Sequence, residues 1–75
     1  SAPYFYRGYI FAEVGEFDLA ISNYTKAIEY NPSDFSSYWN RGLIYFEQKH
    51  QFERAESDFN KVVQSDPQEA KYYFY

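Results

Sequence analysis

The second half of the chain repeats the first. Displaced by 34 residues, Tyr4 falls on Tyr38, Arg7 on Arg41, Gly8 on Gly42, Ile10 on Ile44, Phe11 on Tyr45 and Glu13 on Glu47. Displaced by 35, Phe17 falls on Phe52, Ala20 on Ala55, Ser22 on Ser57, Tyr24 on Phe59, Lys26 on Lys61 and Pro32 on Pro67. A period of this length means a supersecondary unit that cannot bury its apolar face alone and must stack on its neighbour. The change of offset places a one-residue insertion between "EVGEF" and "EQKHQF", which predicts a loop there.

Each unit reads as two helices. Phe17, Ala20, Ile21, Tyr24, Ala27 and Ile28 recur at three- and four-residue spacing, which is one face of a helix. Phe52, Ala55, Phe59, Val62 and Val63 repeat that face, while Glu16, Asp18, Asn23, Lys26, Glu29, Glu53, Glu56, Asp58 and Lys61 are expected in water. The earlier helix of each unit, "YFYRGYIFAEV" and then "YWNRGLIYFE", is apolar over most of its circumference. Such a helix needs cover on more than one side, or lines a groove. Pro3 suits a first helical turn and Gly15 a helix end, with Lys49 and His50 in the equivalent turn. "NPSD" closes one helix at Asn31 and opens the next, with Ser33 the expected N-cap. In "DPQE", Asp66 caps, Pro67 opens and Glu69 completes a capping box, so a fifth helix is expected from there.

Composition removes most other classes. Without cysteine and with a single histidine, neither disulfides nor a zinc cluster can hold the 75 residues together. Missing cysteine is also compatible with a reducing, cytoplasmic setting. The chain has aromatic mass instead: 10 Tyr and 8 Phe. A net charge of −4 with no basic run argues against nucleic acid or an anionic membrane as partner. No apolar run is long enough for membrane insertion. His50 has no nucleophile pattern around it, the glycines form no phosphate-cradling loop, and Glu13 with Glu47 alone do not make an active site. A non-catalytic chain with no cofactor is expected.

The positions Tyr4, Gly8, Phe11, Ala20, Tyr24, Ala27 and Pro32, repeated as Tyr38, Gly42, Tyr45, Ala55, Phe59, Val62 and Pro67, resemble the tetratricopeptide repeat (TPR). Three departures are mild: Tyr for Trp at the first position, Arg7 and Arg41 for Leu, and Val62 for a small residue. The resemblance covers the whole chain, with repeat 1 over 1–34, repeat 2 over 35–69 and a partial third helix over 67–75. It implies an all-α fold of antiparallel helical hairpins stacked as a short right-handed solenoid of about five helices. Gly8, Ala20, Ala27, Gly42 and Ala55 would then be close-approach positions, and Tyr24 and Phe59 the fillers between helices. Arg7 and Arg41 are expected to lay their stems on aromatic rings while their heads reach water or an acid.

The resemblance also implies a use, since TPR domains typically bind peptides or partner proteins. Carried over by position, the concave surface would hold Phe5, Tyr9, Ala12 and Glu13, then Trp39, Asn40, Leu43, Phe46 and Glu47, then Lys71 and Phe74. That is an aromatic groove with an acidic rim, suited to apolar anchors and a basic residue. Some TPR domains bind acidic chaperone tails through a clamp of Lys, Asn and Arg. Asn40 stands at one clamp position, but Phe5 and Tyr9 replace the first Lys and Asn, and the rim has the wrong charge. The alternative function is self-association. Tyr4 and Tyr6 at one end, and Tyr72, Tyr73 and Tyr75 at the other, form aromatic edges through which a homo-oligomer could assemble or exchange helices.

Overall fold

A computed structural model of the protein describes residues 2–65. Four helices follow one another: α1 (Ala2–Glu13), α2 (Phe17–Tyr30), α3 (Phe35–Glu47) and α4 (Phe52–Ser65). The α1/α2 and α3/α4 pairs are the tightest contacts, and the hairpins join mainly through α2 and α3. This is the architecture of a helical-hairpin solenoid. The expected fifth helix, with Asp66, Pro67 and Glu69, lies outside the described residues.

Within each hairpin the same contact sets the helix spacing. A Cβ on Gly8 would sit 2.8 Å from Cδ1 of Tyr24, and one on Gly42 would sit 2.8 Å from Cε1 of Phe59. Each large ring lies flat where its partner helix offers no side chain. Phe5 packs on Tyr24 with ring centres 5.8 Å apart, and Trp39, its equivalent, packs on Phe59 at 4.9 Å. Ala20, Tyr24, Ala27, Ala55 and Val62 are fully or almost fully buried. Between the hairpins, Ile44 of α3 joins Ala20 and Tyr24 in one core, with Phe5, Phe11, Ala12, Phe17 and Ile21 around it.

The insertion sits in a turn. In the first hairpin the Gly15 N–H donates to Ala12 O at 3.2 Å and the Glu16 N–H to Phe11 O at 2.8 Å. That paired closure needs a left-handed residue, and Gly15 supplies it at φ +84°. In the second hairpin the same closing bond runs from the Gln51 N–H to Tyr45 O at 2.8 Å, around one more residue. Here His50, at φ 57°, takes the left-handed place that glycine holds in the first turn.

Two expectations are corrected. Asp34, not Ser33, caps α3. Its carboxylate accepts from the Ser37 N–H at 3.2 Å and the Ser37 hydroxyl at 2.9 Å. The Ser33 N–H is turned back to the Asn31 side chain at 3.1 Å, so the helix starts one residue later. Asp58, placed by its charge on the wet face of α4, is only 3% exposed. It is buried because Arg41 reaches it from α3.

Candidate functional site

Arg41 is the central polar tie. Its Nε donates to Oδ2 of Asp58 at 2.9 Å and its Nη2 to Oδ1 at 2.7 Å, while Nη1 donates to the Thr25 hydroxyl at 3.0 Å. One guanidinium therefore joins α2, α3 and α4. Its carbon lies 5.7 Å from the ring centre of Tyr38 and 5.8 Å from that of Tyr45. The Asp58 hydrogen bonds raise its pKa further above the ordinary arginine value, against the lowering effect of burial. With all three guanidinium nitrogens bonded and two rings beside it, Arg41 is a packing residue. Among the described residues Arg7 reaches the Tyr4 ring, at 5.6 Å, and it is exposed.

The open surface between α1 and α3 is different. A cavity of about 320 Å³ is lined by Tyr9, Ala12 and Glu13 from α1, Phe17 and Tyr24 from α2, and Asn40, Leu43, Ile44 and Glu47 from α3, with Gln48 at its edge. The structure thus brings together Tyr9, Glu13, Asn40, Leu43 and Glu47 of the sequence-predicted surface. Tyr9 is 46% exposed and supplies an open aromatic wall. Asn40 turns its amide back to the Ser36 carbonyl at 2.8 Å, which fixes it against its own helix. Neither Glu13 nor Glu47 pairs with a cation among the described residues.

The other predicted positions lie elsewhere. Phe5 and Trp39 are half-buried on the rings of Tyr24 and Phe59, and do not line the cavity. Phe46 packs edge-on against Phe52 at 5.3 Å and lines a separate cavity with Ala55, Glu56 and Phe59. Tyr4 stacks on Tyr30 at 5.3 Å, whereas Tyr6 is 61% exposed. Lys71, Tyr72, Tyr73, Phe74 and Tyr75 lie outside the described residues.

Sequence reasoning gave Tyr24 only a filling role, and the structure shows a polar atom that this role leaves unused. The residue is fully buried, yet its hydroxyl has no hydrogen-bond partner. Burial raises its pKa to about 12, and the nearby Tyr9 and Glu13 push in the same direction. The signal was available: Phe59 occupies the same place without an oxygen.

A TPR repeat model matches residues 8–49 and a tetratricopeptide repeat model matches residues 35–69. The chain belongs to the tetratricopeptide repeat family. It is 35% identical over 78 residues to tetratricopeptide repeat protein 16 of Macaca fascicularis, covering 96% of this chain and 9% of that protein. It is 37% identical over 62 residues to human tetratricopeptide repeat protein 6, covering 83% of this chain and 12% of the relative. It is also 38% identical over 65 residues to a UDP-N-acetylglucosamine–peptide N-acetylglucosaminyltransferase of Giardia intestinalis, covering 87% of this chain and 4% of the enzyme. The chain therefore spans a small fraction of the curated relatives it matches. No solved structure is a significant match. Tetratricopeptide repeats are generally non-catalytic modules of protein–protein interaction. No helix among the described residues is long and apolar enough to cross a membrane.

Proposed function

We propose that the chain is an interaction module whose groove between α1 and α3 receives a segment of a partner protein. The observation that carries this is the unfilled cavity itself. It sets the apolar surfaces of Tyr9, Leu43 and Ile44 beside the polar groups of Glu13, Asn40 and Glu47. That mixture of apolar lining and few convergent polar groups is what ligand sites use. Its acidic rim favours neutral or basic segments over acidic tails. The test is selection of random nonapeptides on the immobilised chain, repeated with Leu43→Arg, which fills the groove with a bulky charge. Recovery of peptides by the parent and their loss with the variant supports the groove. Peptides indifferent to Leu43→Arg, with the variant's helical circular dichroism unchanged, would remove it.

A second reading has its own observation. Ile44 is 6% exposed in the core between hairpins, whereas its repeat equivalent Ile10 is 60% exposed. Among the described residues Phe46, Phe52 and Phe59 line an apolar cavity of about 380 Å³. A second copy could seat the Ile10 edge there, in a head-to-tail contact. Molar mass by light scattering that rises with concentration, and falls with Ile10→Glu or Phe52→Glu, supports self-association. A constant monomer mass removes it.

A further inference from the structure

The hydroxyl of Tyr24 is an anomaly worth following. Buried polar atoms are almost always satisfied, because an orphaned one costs about 1–3 kcal/mol. Hairpin 2 avoids the cost by using Phe59 at the same place. Hairpin 1 keeps the oxygen, on a ring that lines the cavity to which α1, α2 and α3 all contribute side chains. The ring flank, at Cδ1 and Cε1, passes beneath Gly8, which does not line the cavity. The oxygen end lies within electrostatic reach of Tyr9 and Glu13, which do.

Around it, the cavity is rich in acceptors and poor in cations. Glu13 comes from α1 and Glu47 from α3, both exposed. The described cations near the hairpin junction are committed elsewhere: Arg41 to Asp58 and Thr25, and Lys49 to Asp18. Tyr9 adds an open aromatic face over which an alkyl stem or a cation can lie.

We infer that the groove contains a subsite for a lysine side chain of the partner segment, its ammonium shared by Glu13, Glu47 and the Tyr24 hydroxyl. The inference rests on the groove reading above and names the chemistry of its occupant. An ammonium has three rotatable donors and no acceptor. Three acceptors arriving from three helices suit that geometry better than the planar fork of arginine, which favours one coplanar carboxylate. The two carboxylates supply charge, and the phenol oxygen completes the set and loses its orphaned state. The phenol contribution matters for specificity, because two exposed acids alone would attract any cation weakly.

The test uses two fluorescent nonapeptide pools on the immobilised chain, random except at the centre, which is lysine in one and norleucine in the other. Retention is compared on the parent, on Tyr24→Phe and on a Glu13→Gln, Glu47→Gln double variant. Tyr24→Phe leaves the net charge unchanged and recreates the ring that hairpin 2 already carries, so it separates the subsite from general attraction to an acidic protein. The parent is expected to retain the lysine pool at least about fivefold over norleucine, with that ratio falling towards one on both variants. A ratio that survives Tyr24→Phe would overturn the subsite and leave only general charge attraction. Equal retention of both pools that is abolished by Leu43→Arg would overturn the subsite while keeping the groove. Retention of neither pool would overturn both. Thermal unfolding of Tyr24→Phe at or above the parent's temperature shows that any loss of binding is local.

Discussion

The two hairpins share one steric plan and differ in their polar ties. Both lay a large ring on a glycine, Tyr24 on Gly8 and Phe59 on Gly42. Both carry an arginine one residue before that glycine. Only the second arginine has a buried acid. Where α4 offers Asp58, α2 offers Asn23, whose amide turns to its own helix at Leu19 O, 2.9 Å away. So Arg41 ties α3 to α4, and through Thr25 to the first hairpin, while Arg7 lies on Tyr4 and faces water. The orphaned oxygen is distributed the opposite way: hairpin 1 has it in Tyr24, and hairpin 2 has none at Phe59. The second hairpin pairs its buried Asp58 with Arg41, and the first leaves the buried Tyr24 hydroxyl without a partner. A repeat can thus keep its packing residues fixed and vary function in the polar positions beside them.

The largest expected effect breaks this contrast at its strongest point. Asp58→Ala leaves Arg41, whose side chain is 17% exposed, without its bidentate partner. Removing one member of a buried pair costs about 3–5 kcal/mol. For a domain this small that is a large share of total stability. Asn23→Ala, at the equivalent position, should change stability by no more than about 0.5 kcal/mol. Urea denaturation of both variants measures the difference. Similar costs would show that the Arg41–Asp58 pair does not hold α3 to α4.

Titration separates the hairpins next. The Tyr24 phenol is neutral in folded and unfolded chains below pH 10, so it has no pH-dependent effect there. Between pH 10 and about 12 the unfolded chain releases this proton while the folded chain holds it. Proton release then favours unfolding, and stability falls across that window by roughly 2–3 kcal/mol from this group. Tyr24→Phe should flatten that part of the stability–pH curve. At neutral pH the same variant should be neutral or stabilising by up to about 1 kcal/mol, since it removes an unsatisfied oxygen. Chemical denaturation at pH 7 and pH 11 tests both signs. An equal slope in parent and variant would mean that the hydroxyl ionises freely in the folded chain.

What could be read in advance follows from the same asymmetry. The repeat offset showed the helix pairs and the place of the insertion, and the family resemblance implied the close-approach glycines and the filler rings that the structure brings together. The site was legible only in part. Tyr9, Glu13, Asn40, Leu43 and Glu47 converge as position predicts, but Phe5, Trp39 and Phe46 are aromatic residues whose use depends on which ring lies opposite. Phe5 and Trp39 found rings inside their own hairpins, and Phe46 found Phe52 on another face. Asp58 was misplaced because charge was weighed above position. It lies three residues after Ala55 and four before Val62, on the buried face, where it meets the Arg41 head that was expected to reach water or an acid.

The glycine contacts sharpen the comparison at smaller scale. Gly8→Ala puts a methyl 2.8 Å from the Tyr24 ring and 3.2 Å from the Ala20 carbonyl oxygen. Tyr24 is fully buried and cannot swing aside, so a cost of about 1–3 kcal/mol is expected. Gly42→Ala meets Phe59, which is only half-buried and can give way. Its cost should be lower than that of Gly8→Ala, by the same denaturation assay. The reverse order would mean that the Arg41–Asp58 tie, which a shift of α4 disturbs, is stiffer than the ring contact.

The smallest expected difference lies in the turns. Gly15 at φ +84° has nothing within 4 Å of where a Cβ would stand, so Gly15→Ala meets no clash. Its cost is the left-handed backbone alone, about 1–2 kcal/mol for an L-residue. His50 already bears a strain of that kind at φ 57°, in the longer turn. His50→Gly relieves it but loses an edge contact to the Phe52 ring, whose centre is 5.9 Å away, and loosens the unfolded chain. These terms oppose each other, leaving a net gain of a few tenths of a kcal/mol up to about 1. Thermal unfolding of the two variants should therefore shift in opposite directions. A loss from His50→Gly would show that the histidine ring on Phe52 contributes more than its backbone strain costs. The extra residue of the second turn would then be a packing device as well as a spacer.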